Sequence, residues 1–176
     1  QHKENIRFFN ASLLHIVPEE HFIATDKGKV TYDQLVLAMG TETNYFGMEN
    51  VKQHALALKT INDALEIRNT ILANLEKACR TSDVEALKRI MTIVVSGGGP
   101  TGVEIAGMMA EMGKYIMEKD YPELNGIQSR IILVDAGKTL LGPMSKKSQD
   151  EALKQLKHLG VEVKLDVAVK DFSNNV

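Results

Sequence analysis

The stretch Ile93–Gly107, "IVVSGGGPTGVEIAG", constrains this chain more than any other. Ile93, Val94 and Val95 are a short β-branched run, the pattern of a strand buried on both faces of a parallel sheet. Gly97, Gly99 and Gly102 then fit G-x-G-x-x-G. In that motif the first glycine permits a tight turn, and the second lets the backbone approach a pyrophosphate. The third lets the following helix pack closely. Gly102, Ala106 and Ala110 recur four apart, which predicts a helix with one small-residue face pressed on a sheet. Free N–H groups at the helix start, with the dipole behind them, make an anion site. An isolated glycine motif also occurs in ordinary strand-to-helix turns; here the flanking strand and helix are both present.

The expected companion is a second strand ending in an acid. "RIILVDAG" supplies an apolar run, Ile131 to Val134, that ends at Asp135 and Ala136. The interval from Gly102 exceeds the usual ~20 residues. The excess lies in "MEKDYPELNGIQS", a polar stretch read as a lengthened helix end and loop. Asp135 suits the hydroxyls of an adenosine ribose, and its charge opposes a 2′-phosphate. Lys138 is the only base nearby, so the reading is NADH over NADPH. The alternative role for Asp135 is to cap a turn at the strand end.

The remaining segments extend this pattern. Thr60 and Asp63 make a capping-box-like start for a helix over 60–79, with Ile61, Leu65, Leu72, Leu75 and Cys79 as its buried stripe. A short helix near Asp83–Ile90 leads into the loop strand. Another helix runs over 145–159, from Ser145 as N-cap to Gly160 as stop, and "VEVKL" follows as a strand. The order predicts an α/β, Rossmann-like parallel sheet with flanking helices and right-handed crossovers. Residues 1–40 break the pattern. "IRFFNASLLHIV", "HFIAT" and "KVTYD" read as short β segments, with "DKGK" as a hairpin turn. "YDQLVLAMGTETN" reads as a buried strand, Leu35–Met39, running into a turn at Gly40. "VEVKLDVAVKDF" faintly echoes "IRFFNASLLHIV", as if each began a β-meander.

Composition narrows the function. Of 176 residues, 21 are basic and 23 acidic, with no basic block. That argues against a nucleic-acid surface and an electrostatic membrane anchor. No apolar run approaches ~18 residues, and there is no signal-peptide pattern, so a soluble chain is expected. The five histidines show no metal-ligand spacing, and no metal site is expected. His15 and His21 read as packing or surface residues. Cys79, the one cysteine, reads as a buried small hydrophobe.

"YDQLVLAMGTETN", "IVVSGGGPTGVEIAG" and "IILVDAG" together resemble the two-dinucleotide flavoprotein (pyridine nucleotide-disulfide oxidoreductase) superfamily, in which an NAD(P)H domain interrupts an FAD domain. "GGGPTGVEIAG" with the "YPEL" insertion looks most like the type II NADH dehydrogenases, which pass electrons from NADH through FAD to a quinone. The resemblance implies three parts: residues 1–45 as the end of an FAD-domain segment with its β-meander, residues 46–90 as a connector, and residues 91–176 as the NADH-binding domain. It implies that Gly97, Gly98, Gly99, Pro100, Thr101 and Gly102 hold the pyrophosphate and that Asp135 and Ala136 face the ribose. Gly40 would lie at the flavin, in "AMG" where the superfamily has "ATG", with Met39 replacing Thr. Glu104 would lie where nicotinamide and flavin meet and position the nicotinamide. The plainer role for Glu104 is a first-turn carboxylate favoured by the helix dipole. Met108, Met109 and Met112 suit core or interface packing better than a quinone pocket.

The implied partners are NADH and a quinone, with no nucleic acid. A homo-oligomer is expected, cytoplasmic and peripheral to the inner membrane through parts outside this chain. Gln1 is no translation start and Val176 stops after "SNN", which reads as an excised segment. Two rival readings stand. One is another enzyme of the superfamily, such as a disulfide reductase, a ferredoxin or rubredoxin reductase, or an NADH oxidase. The other is a non-catalytic NAD(H)-sensing module, against which residues 32–44 count.

Overall fold

A computed structural model describes residues 5–172 apart from Gln128 and the side chain of Glu118. The "SNN" turn before Val176 lies outside the described residues. The chain divides into two compact units, Gln1–Thr41 and Glu42–Val176.

The first unit is an antiparallel meander of β1 (Leu13–Val17), β2 (Phe22–Thr25) and β3 (Gly28–Thr31). Thr25 pairs with Gly28 across a two-residue turn at Asp26 and Lys27, as "DKGK" predicts. Thr25 Oγ1 donates to the Gly28 carbonyl (2.7 Å) and accepts from the Lys27 amide (3.2 Å), which closes that turn. Lys29 Nζ stands 3.5 Å over the Phe22 ring. Residues 6–12 are not in a strand, and neither is Leu35–Met39. Val36 and Met39 are 85% and 73% exposed, against the expected buried strand. An apolar run supplies a drive for burial, but only a neighbouring strand supplies ladder hydrogen bonds, and among the described residues none pairs with this run.

The second unit begins with α1 (Glu49–His54), α2 (Ile61–Cys79) and α3 (Val84–Ile90). Thr60 and Asp63 form the complete capping box: the Asp63 amide donates to Thr60 Oγ1, and the Thr60 amide donates to Asp63 Oδ2. The buried stripe is displaced from the expected one. Leu75 and Ala78 are buried, with Ile67, Ile71 and Cys79 packed beside the core, while Ile61 is 82% exposed and Leu65 is exposed too. Apolar residues stand on more than one side of the helix, and α3 and the turn at Pro122–Leu124 are among the elements that pack on it.

A parallel sheet follows in the order β4 (Thr92–Ser96), β5 (Arg130–Val134), β6 (Glu162–Lys164), with α4 (Pro100–Asp120) and α5 (Lys146–His158) as crossovers. The main core joins Ala106 and Met109 of α4, Ile131 and Leu133 of β5, Leu156 of α5, and Leu140, Leu141 and Val161. Ile93 and Val95 pack against it, but Val94 is 57% exposed, so β4 is not buried on both faces. β4 is an edge of the sheet. In the centre, all of Ile131–Val134 is buried.

The "YPEL" insertion is not a plain polar loop. It forms a 3-10 turn whose Leu124, 2% exposed, joins a second cluster with Leu75, Ala78, Met91 and Met117. Burial, then the nearby Glu123 and Glu76 carboxylates, push the half-buried Cys79 thiol up. After β6 no meander begins among the described residues. Asp166 takes φ +56 and its amide turns back to the Gly137 carbonyl at 3.0 Å.

Candidate functional site

The glycine loop joins β4 to α4 at the C-terminal end of the parallel strands. Gly97 has φ +114, a conformation open to glycine and strained for other residues, and its amide donates to the Val134 carbonyl at 2.9 Å. Gly102 is required by contact: a Cβ there would stand 1.8 Å from the Gly97 carbonyl oxygen. That approach folds the loop back over the first turn of α4.

Gly99 is the N-cap of α4, with φ −75 and ψ −178 and no side-chain cap bond. Pro100 follows at the first helical position, where the missing N–H costs no helix bond. Gly99, Pro100 and Thr101 are exposed, and nothing lies within 4 Å of a Cβ built on Gly99. The first turn of α4 holds no acidic residue. The helix start is therefore an uncapped, electropositive end with clear space in front of it, as a bound anion needs.

Asp135 sits behind this loop. Its Oδ2 accepts from the Gly98 amide at 2.5 Å, and its Oδ1 accepts from the Gly137 amide at 2.6 Å. Each oxygen keeps a lone pair for a further donor. Asp135 is half-buried and Ala136 is exposed, both directly after β5. Glu104 lies beyond the first turn of α4 rather than in it, because the helix begins at Pro100; it is exposed, with no hydrogen bond or ion pair to a described residue. The structure thus brings together Gly97, Gly98, Gly99, Pro100, Thr101, Gly102, Asp135 and Ala136, with Glu104 on the same helix. Gly40 belongs to the other unit, where it has φ +77 and nothing within 4 Å of a built Cβ. Of the three methionines, Met109 is core, Met112 is half-buried and Met108 is 43% exposed.

Sequence reasoning missed one part of this arrangement. Leu140 and Leu141 reach back to the loop, the Leu141 amide donating to the Gly98 carbonyl at 2.8 Å. Nothing in a nucleotide-binding motif marks them; the only signal was an apolar pair inside a polar stretch. Among the described residues no cluster of His, Cys, Asp or Glu is placed to hold a metal, and no helix is long and apolar enough to cross a membrane.

Comparison with known proteins follows the same lines. The chain is 39% identical over 144 residues to the type II NADH:quinone oxidoreductase Ndh of Mycobacterium tuberculosis, covering 82% of this chain and 31% of that one. It is 33% identical over 148 residues to the external alternative NADH-ubiquinone oxidoreductase of Yarrowia lipolytica mitochondria, covering 84% and 25%. Its fold matches the solved structure of NDH2 from Plasmodium falciparum in complex with NADH at a TM-score of 0.72, with 28% identity, over 92% of this chain and 34% of that one. The chain thus spans no more than about a third of the length of these relatives. The pyridine nucleotide-disulphide oxidoreductase profile matches residues 1–176, and the chain belongs to that family.

Proposed function

We propose that this chain is the NADH-binding portion of a flavin-dependent NADH dehydrogenase, which passes electrons from NADH through FAD to a quinone. One observation carries the reading: the uncapped start of α4 at Gly99, open in front and fixed behind by Asp135 through Gly98. The kinship with proteins named as NADH:quinone oxidoreductases supports the choice of donor and acceptor.

In this reading Gly97–Gly102 hold the pyrophosphate through backbone amides. Asp135 accepts from ribose hydroxyls with its remaining lone pairs, beside Ala136. Glu104, exposed and without a partner among the described residues, positions the nicotinamide. Gly40 is a backbone contact for FAD, and its positive φ and clear surroundings suit the close approach of a ligand. Bound FAD supplies the hydride-accepting chemistry, and the protein supplies alignment and electrostatics. Residues 1–45 are the FAD-domain portion, 46–90 the connector and 91–176 the NADH-binding domain. The whole enzyme works at the membrane periphery as a homo-oligomer.

Calorimetric titration of the full chain with NADH tests the reading. Saturable binding at one NADH per chain is expected, and it disappears in Gly99→Val. The valine occupies the open space in front of the helix start while taking an ordinary extended backbone, so circular dichroism stays unchanged. A Gly99→Val chain that binds NADH like the wild type would sink the pyrophosphate assignment.

A further inference from the structure

We infer that Leu140 and Leu141, which no nucleotide-binding motif contains, are positioning residues for the pyrophosphate loop. The inference rests on the proposal that this loop holds the NADH pyrophosphate.

The geometry holds Gly98 from both of its backbone groups. Its amide donates to Asp135 Oδ2, and its carbonyl accepts from the Leu141 amide at 2.8 Å. Gly98 is buried, and a Cβ on it would stand 2.8 Å from Leu140 Cδ2 and 3.1 Å from the Asp135 Cβ. The tip of Leu140 therefore fills the space that any side chain at Gly98 would need. Leu140 is 1% exposed and Leu141 8%. Leu141 has φ +52, in the left-handed region that non-glycine residues seldom enter. A residue held there marks a backbone over-determined by its surroundings, a pattern that concentrates at binding sites.

Both leucines belong to the main core with Ala106 of α4, Leu156 of α5 and Val161. Residues 135–141 thus form a brace tying the loop to the core that α4 and α5 share. An anion at the helix start gains most when the amides are already aimed before it arrives. A shift of Leu140 moves Gly98, and with it the neighbouring Gly99 that starts the helix.

The experiment compares wild type, Leu140→Ala and Leu140→Met in the full chain, each at a temperature where it is fully folded. Two quantities are measured: amide hydrogen exchange at Gly98 against Leu133, and the NADH Kd by calorimetry. For Leu140→Ala, faster exchange at Gly98 than at Leu133 and a Kd raised about tenfold are expected, the size of one lost charge-assisted hydrogen bond. Leu140→Met, which keeps the volume, should restore most of both. A merely structural leucine would lower the melting temperature and leave the Kd of the folded chain where it was. A Kd for Leu140→Ala within about twofold of wild type, or unchanged exchange at Gly98, overturns the inference. If Leu140→Ala does not fold, Leu140→Val replaces it, with a smaller rise in Kd expected and the same overturning result. Failure of the wild type to bind NADH at all overturns the pyrophosphate assignment itself and this inference with it.

Discussion

At the scale of single residues, Asp135 is the most informative position. Its carboxylate takes the Gly98 and Gly137 amides, so the same group that would receive a ribose also shapes the phosphate loop. The capping role and the ribose role are thereby compatible, and substitution disturbs both. A 2′-phosphate about 4 Å from this charge costs roughly 1 to 4 kcal/mol, a preference for NADH over NADPH of about fivefold to a thousandfold. Parallel titrations with the two cofactors check this, and equal affinities would refute it. Asp135→Ala removes the loop anchor along with the repulsion, so it should weaken both cofactors while narrowing the gap between them. A variant that gained NADPH affinity at undiminished NADH affinity would show that Asp135 does not hold the loop.

At the scale of elements, two polar devices add to the apolar cores of the second unit. The first is the capping box of α2. The Thr60 and Lys59 amides hold the Asp63 carboxyl below the usual carboxylate range. Thr60→Ala removes the acceptor of the Asp63 amide and should cost about 1 kcal/mol of stability, measured by urea unfolding. The second device is the pair Arg130–Glu162 across β5 and β6, in which Nη2 meets Oε2 at 2.7 Å and Nε donates to Oε1. These hydrogen bonds, with the charge of Arg130, hold the Glu162 carboxyl below its ordinary range. A depressed folded-state pKa means that the contribution is full above the unfolded value, about 4.3, and fades as pH falls through the folded one. The stability gap between wild type and Glu162→Gln should therefore shrink as pH goes from about 7 to about 3. Both groups are solvent-exposed, so the gap is small and also falls with salt. A gap that grows on acidification would contradict the assignment.

At the scale of the whole molecule, the two units differ in kind. Among the described residues of Gln1–Thr41 only Thr25 is buried, whereas Glu42–Val176 has two apolar clusters. The one G-x-G-x-x-G of the sequence lies in the second unit. If the proposed pyrophosphate role holds, one such loop serves one dinucleotide, and the purified chain should bind NADH and carry no stoichiometric flavin. Its visible spectrum should lack flavin absorbance, and it should show no NADH:quinone turnover. A yellow preparation with one FAD per chain would overturn this expectation.

The features legible in the sequence are those set over short stretches of chain. The capping box at Thr60 and Asp63, the two-residue turn after Thr25, and the Ser145 cap and Gly160 stop around α5 each depend on residues a few positions apart. So does the strand–glycine–helix order around Gly97–Gly102. Local hydrogen bonds and side-chain periodicity suffice to specify them, so the α/β class and the position of the strand–glycine–helix turn could be read directly. Tertiary structure decided what depends on partners distant in the chain. It left Val94 exposed and turned α2 onto Ile71 and Leu75 rather than Ile61 and Leu65, because apolar periodicity states that a face is to be buried but not which neighbour will reach it. Among the described residues it gave Leu35–Met39 no strand to pair with. It also seated Leu140 against Gly98, a contact between residues some forty positions apart whose only requirement is that the two surfaces fit.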